Sequence, residues 1–299
     1  MEVRRRILGV MPQWQRLFSA LREQDVDVSE RDMPLPVAGG DISAAWQITA
    51  ADQSVFLKTG PLTAYDMFLA EADGLRELAD ANALRVPKVL GCVASTNECL
   101  LALEWIDLKL ATPATEALLG QRLAKQHRHT AEQFGWKRDN TIGSTLQQNN
   151  WSDDWVQFYA ERRLGYQLEL AAKNGYTGVL QSEGLRLLDN LGYYFSNYWP
   201  EASLLHGDLW AGNWASSNGE PVVFDPAVYY GDRENDLAMT ELFGGFTQTF
   251  YAAYDDAWPM SPGSDQRMLL YQLYYMLNHL NLFGASYLPR VERLFFELR

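Results

Sequence analysis

Apolar positions recur at two different spacings along this chain. From Leu35 to Gly60 the sequence reads "LPVAGGDISAAWQITAADQSVFLKTG". Ala44 to Thr49 and Ser54 to Lys58 alternate in part and flank a polar turn at Ala51 to Gln53, which predicts a β-hairpin. In "AYDMFLAEADGLRELADAN", Phe68, Leu69, Ala72, Leu75, Leu78 and Ala79 fall at helical spacing. "VPKVLGCVAS" and "ECLLALEWID" read as two more strands. Beyond Asp107 the helical period takes over, over residues 114–134, 152–174, 178–198, 235–256, 264–283 and 289–298. The pattern predicts an α+β chain in two parts. Residues 1–104 should carry an N-terminal helix, an antiparallel sheet and one embedded helix, and residues 105–299 a helical domain.

Composition narrows the function. At 299 residues with 47% apolar content, the chain can bury a large core. No stretch reaches the roughly eighteen apolar residues of a membrane span. The basic and apolar start is interrupted by Pro12, Gln13, Gln15 and Arg16, unlike a signal peptide, so a cytoplasmic location is expected. Cys92 and Cys99 are then expected as free thiols in strands. The net charge of −13, with no cluster of Lys and Arg, argues against nucleic acid and anionic membranes as partners. An acidic protein that handles phosphate must rely on a few local cations, a metal among them.

Three polar groupings carry candidate chemistry. Lys58 ends a strand in "VFLK", and Glu71 lies on the following helix. Such a pair, after a turn containing Gly39 and Gly40, contacts nucleotide phosphates in kinases; taken alone it is more often a surface ion pair. "HGDLWAGN" spaces His206, Asp208 and Asn213 as in a kinase catalytic loop, with Asp208 the base and Asn213 a magnesium ligand. Asp225 then ends the apolar run of "PVVFDPA", placed for the second metal ligand. Each fragment alone also reads as turn chemistry, but the ordered set points to phosphoryl transfer. His127 and His129, two apart on a helix, face nearly opposite sides and cannot chelate together, so they are expected in solvent or at a cap. His279 lies in an aromatic stripe and is expected in the core.

The segments "LLHGDLWAGN", "VVFDPAVYYGDRENDLAM", "NNWSDDWVQFYAERRLGYQLELA" and "YQLYYMLNHLNLFGASYL" resemble the fructosamine kinase (ketosamine-3-kinase) family, bacterial branch, from about Gly39 to Leu288. The resemblance implies a protein-kinase-like, two-lobed fold: a five-stranded N-lobe, a hinge and a helical C-lobe. It implies ATP-dependent phosphorylation, with Mg2+, of the C3 hydroxyl of sugars joined to amines by Amadori rearrangement, a deglycation activity. Lys58 and Glu71 would be the phosphate-contacting pair, and Glu104, Trp105 and Ile106 the hinge whose backbone meets adenine. Asp208 would be the base, Asn213 and Asp225 the magnesium ligands, and Asp236 a tie on the catalytic loop. Gly39 and Gly40 are adjacent and lack the third glycine of the protein-kinase loop.

Substrate choice must come from elsewhere. Trp210 follows Asp208 by two residues, Asp232 lies in "YYGDRE", and Trp151 shares a predicted helix face with Trp155. Trp210, Asp232 and Trp151 are the expected substrate contacts, and Trp155 is expected in the core. A small ketoamine is the expected partner of a monomeric chain. Kinases for aminoglycosides or choline share the phosphoryl-transfer residues, and a nucleotide-binding pseudokinase is the non-enzymatic alternative.

Overall fold

A computed structural model describes residues 12–29, 33–37, 43–50 and 53–299. The chain divides into two units, one built on residues up to Asp80 with Val86–Leu108, the other on Ala81–Arg85 with Lys109–Arg299. The short excursion has a cause. The amide of Val223 donates to the Arg85 carbonyl and Lys125 Nζ to the Asn82 carbonyl, so this stretch is tied into the second unit.

In the first unit, β1 (Leu35–Pro36), β2 (Ala44–Ala50), β3 (Gln53–Pro61), β4 (Val89–Ala94) and β5 (Glu98–Glu104) form an antiparallel sheet in the order β1-β2-β3-β5-β4. The alternation read in the sequence is the register observed: Trp46 faces Leu57, and Ala45 faces Lys58. Side chains alternate across a strand, so Val55 and Leu57 point one way and Phe56 and Lys58 the other. Trp46, Ile48, Val55 and Leu57 join a core with Leu17, Phe18 and Leu21 of α1 (Trp14–Arg22). Lys58 is left for α2 (Tyr65–Asp80), whose Phe68, Ala72, Leu75 and Leu78 are buried. Cys92 and Cys99 are buried free thiols. Burial pushes their pKa values up to about 12 and about 11, away from thiolate chemistry.

The second unit is mainly helical: α3 (Pro113–His127), α4 (Trp155–Tyr159), α5 (Tyr166–Lys173), α6 (Val179–Asp189), α7 (Glu234–Leu242), α8 (Gln248–Ala257), α9 (Ser264–Phe283) and α10 (Leu288–Glu297). Thr112 caps α3 through Thr115 N–H, with Pro113 in the first turn, as helix starts favour. A side chain at Gly120 would stand 2.4 Å from the Phe250 carbonyl, so glycine lets α3 and α8 pack closely. Between α4 and α5 the helix widens into a π turn at Ala160–Gly165. The stretch expected as one helix over 178–198 ends at Asp189 and gives way to a short 3₁₀ turn, Leu191–Phe195.

The helix expected over 235–256 is interrupted as well. Gly244 and Gly245 take φ of 71° and 90°, conformations costly to other residues, and end α7. The break packs against the segment that follows Asp208: a side chain at Gly245 would stand 2.4 Å from Ala211 Cβ, Phe243 meets Trp210 edge-on, and Phe246 stacks on Trp214. Among the described residues no helix is long and apolar enough to cross a membrane.

Candidate active site

Three short ladders frame the polar residues of the second unit. β8 (Ser203–Leu205) pairs with β11 (Tyr229–Gly231), β9 (Trp214–Ser217) with β10 (Glu220–Val223), and β6 (Asn140–Ile142) with β7 (Thr145–Gln147). The "HGDLWAGN" loop links β8 to β9, and Asp225 follows β10. Gly207 has φ of 83°, and a side chain there would meet the Ala227 carbonyl at 2.0 Å. Only glycine fits that turn.

The loop brings Asp208, Asn213 and Asp225 together. Asn213 Nδ2 donates to the Asp208 carbonyl at 2.8 Å, to Asp208 Oδ2 at 3.2 Å and to the Asp225 carbonyl at 3.4 Å. With its nitrogen so committed, Asn213 has Oδ1 left to offer as a ligand. Asp225 sits in the left-handed region, φ 57°, which Asp tolerates better than most residues. A carboxylate and an amide oxygen are a hard donor pair of the kind that, with substrate phosphates, holds magnesium. Asp208 keeps partial exposure, yet desolvation, reinforced by the negative charge of Asp225, raises its pKa to about 7, against the pull of the Asn213 amide. A carboxylate titrating there suits proton transfer near neutral pH.

The backbone of this loop hangs from Asp236. His206 N donates to Asp236 Oδ2 at 2.7 Å and Gly207 N to Oδ1 at 2.8 Å. Asp236 lies in the first turn of α7, so the tie expected from the sequence is present. The expectation for His127 was wrong. It is fully buried, with Nε2 3.2 Å from Asp236 Oδ2 and Nδ1 2.8 Å from the Tyr254 hydroxyl, whereas His129 is exposed. His279 is only partly buried; its Nδ1 bonds the Tyr275 carbonyl, and its ring packs on Phe243, Phe283 and Tyr287.

Burial lowers the pKa of His127, chiefly through desolvation. The sign follows directly: the neutral ring's contribution is complete above about pH 6.5 and is lost as pH falls below that value. Between pH 7.5 and 5.5 this histidine should therefore cost up to about 1.4 kcal/mol of stability. Asp208, with its pKa raised, acts in the opposite direction, so the comparison must be differential. Denaturant melts at the two pH values should show a smaller acid loss for His127→Gln than for the wild type. An equal loss in both proteins would remove His127 from this role.

In the first unit, Lys58 Nζ lies 2.6 Å from Glu71 Oε1, both side chains mostly buried. Partial burial makes this pair more than a surface contact. Glu104 Oε2 accepts from the Lys88 amide, the Trp105 ring packs on Phe56, and Ile106 is buried. Gly39 and Gly40 lie outside the described residues.

The three expected substrate contacts separate. Trp210 is partly exposed, its ring over Gly212 and edge-on to Phe243. Asp232 is fully buried: Oδ1 accepts from the Tyr198 hydroxyl and the Glu234 amide, and Oδ2 from the Tyr271 hydroxyl. With three internal donors and no exposure, Asp232 is engaged within the protein and is not presented to a substrate. Trp151 and Trp155 do not share a helix face, because Asp154 caps α4 and Trp151 precedes the cap. Trp155 is core, its Nε1 bonded to Tyr271, whereas Trp151 is exposed beside Tyr230 and lines a cavity of about 330 Å³ with Asp153, Asp154 and Glu161.

The model of the fructosamine kinase family matches residues 11–298. The chain belongs to that family. It is 42% identical to a candidate ketoamine kinase of Synechocystis sp. over 86% of this chain and 87% of that one. It is 41% identical to the chloroplastic protein-ribulosamine 3-kinase of Arabidopsis thaliana, over 84% of this chain and 78% of the relative. A crystal structure described as a candidate fructosamine-3-kinase of Haemophilus somnus superimposes with a TM-score of 0.87 at 28% identity, covering 95% of this chain and 98% of that one. The chain is thus a kinase with the α+β, protein-kinase-like fold expected from the sequence.

Proposed function

We propose that the protein transfers the γ-phosphoryl group of ATP to the C3 hydroxyl of ketoamines, with Asp208 as the general base. The observation that carries this reading is the Asp208–Asn213–Asp225 arrangement, held by Asp236, in a chain of the fructosamine kinase family. Lys58, held by Glu71, supplies a fixed cation for the α- and β-phosphates, and the backbone of Glu104, Trp105 and Ile106 meets adenine. Asn213 and Asp225 are the residues to hold Mg2+, which neutralises phosphate charge when bound. Asp208 accepts the proton of the sugar hydroxyl as its oxygen attacks phosphorus, and ADP leaves. A phosphate on C3, beside the carbonyl carbon of a ketoamine, labilises the sugar–amine linkage, which makes the activity a deglycation.

Selectivity is assigned to the aromatic wall that begins at Trp210. Its ring meets Phe243, whose centroid lies 4.9 Å from that of His279, and Phe283 and Tyr287 continue the wall. Electron-rich ring faces suit a sugar face or the protonated amine of a ketoamine. Trp210→Ala should raise KM for fructosyl- or ribosyl-lysine about 5–10-fold, the equivalent of roughly 1–1.4 kcal/mol, and leave KM for ATP unchanged. Steady-state assays with both ketoamines, choline and an aminoglycoside decide the point. Faster phosphorylation of choline or the aminoglycoside would overturn the proposed substrate class.

A further inference from the structure

Hydrogen-bond directions in the second unit can be followed from Arg233 to the catalytic loop without a gap. Arg233 Nη1 lies 3.1 Å from the Tyr254 hydroxyl, and a guanidinium can only donate. The hydroxyl's own proton is then free for His127 Nδ1, 2.8 Å away. At the other end, Asp236 as a carboxylate can only accept, so the proton on the neutral His127 ring must sit on Nε2, 3.2 Å from Oδ2. The two constraints agree on one tautomer. Asp236 in turn holds the amides of His206 and Gly207, and Tyr275 Oη donates to the Gly207 carbonyl at 3.2 Å. Arg233, Tyr254, His127 and Asp236 are at most 4% exposed, so water does not compete along the chain of bonds.

We propose that Arg233, Tyr254 and His127 are positioning residues, which fix the His127 ring and the Asp236 rotamer and thereby the placement of the Asp208 turn. The inference rests on the reading of Asp208 as the base. Arg233 belongs to the "YYGDRE" segment, and its side chain also donates to the carbonyls of Trp258 and Pro259, which anchors the relay to the end of α8. Without the Tyr254 hydroxyl, His127 Nδ1 loses its donor, and the ring, still protonated on Nε2 because Asp236 can only accept, is free to tilt in its site. Asp236 then loses the contact that orients it, and small displacements of a base are costly in rate.

The relay predicts a split in kinetic constants. Tyr254→Phe should lower kcat about 10-fold, the low end of what removing an outer-shell partner costs, with KM for ATP and ketoamine unchanged. His127→Leu should lose more. His127→Gln should recover part of that loss, because its amide can donate to Asp236 and accept from Tyr254. The decisive readout is independent of activity: long-range ¹H–¹⁵N spectra of histidine-labelled protein, with His127 assigned by its loss in His127→Gln. The wild type should show the Nε2–H tautomer, and Tyr254→Phe the same tautomer with its Nδ1 resonance shifted by loss of the hydrogen bond. An Nδ1–H wild type, or Tyr254→Phe with the shifted Nδ1 resonance and wild-type kcat, would overturn the relay. A wild type inactive on ketoamines would sink the proposed substrate class and leave the tautomer and the Nδ1 shift to judge the hydrogen-bond chain.

Discussion

Asp208→Asn is expected to abolish turnover, lowering kcat by about 10²–10⁴-fold, the usual contribution of a positioned general base. The substitution is nearly isosteric, and the amide oxygen can still accept from Asn213 Nδ2, so the loop should keep its shape. What disappears is the proposed proton acceptor, a carboxyl whose pKa burial and the charge of Asp225 push up to about 7. Removing a negative charge beside Asp225 relieves repulsion toward nucleotide phosphates, so the Kd for ATP should stay level or fall. Calorimetric ATP binding alongside single-turnover phosphorylation separates the two effects. A variant with near wild-type kcat would remove Asp208 from the chemistry, and one that failed to bind ATP would show the loop collapsed.

Where the chemistry depends on local geometry, the sequence was readable. His206, Asp208 and Asn213 lie within one loop, and a bond from the Asn213 side chain to the Asp208 carbonyl closes that loop across five residues. Lys58 and Glu71 were legible for a related reason: strand alternation fixes which face Lys58 takes, and a helix follows directly. Asp232 and His127 were misread because their partners are remote. Tyr271, on α9, donates to Asp232 across 39 residues, and Asp236 meets His127 across 109. No periodicity within either segment carries that pairing. His127 was weighed against its neighbour His129, although Leu123 and Ala124, four and three residues earlier on the same helix face, are apolar and buried. The break at Gly244 and Gly245 was hidden because Phe243, Phe246 and Phe250 continue an apolar pattern through it; the reason for the break is packing against Ala211, Trp210 and Trp214.

Asp225→Ala should sharply raise the Mg2+ concentration needed for half-maximal rate, and should cost more than Asn213→Ala. A carboxylate neutralises cation charge, and an amide contributes only a dipole. The rate loss for Asp225→Ala is expected to exceed about 100-fold, beyond the 10–100-fold typical of residues that merely orient a ligand. Alanine also tolerates the left-handed backbone at this position less well than Asp. Asp225→Asn is therefore the control, since it keeps much of the conformational preference and loses only the charge. The two Asp225 variants should agree in their Mg2+ requirement if charge is the cause. If Asn restores the wild-type requirement while Ala does not, backbone strain explains the defect and the charge argument fails. Wild-type activity that survives exhaustive chelation would remove the metal from the reaction altogether, and with it the roles given to Asn213 and Asp225.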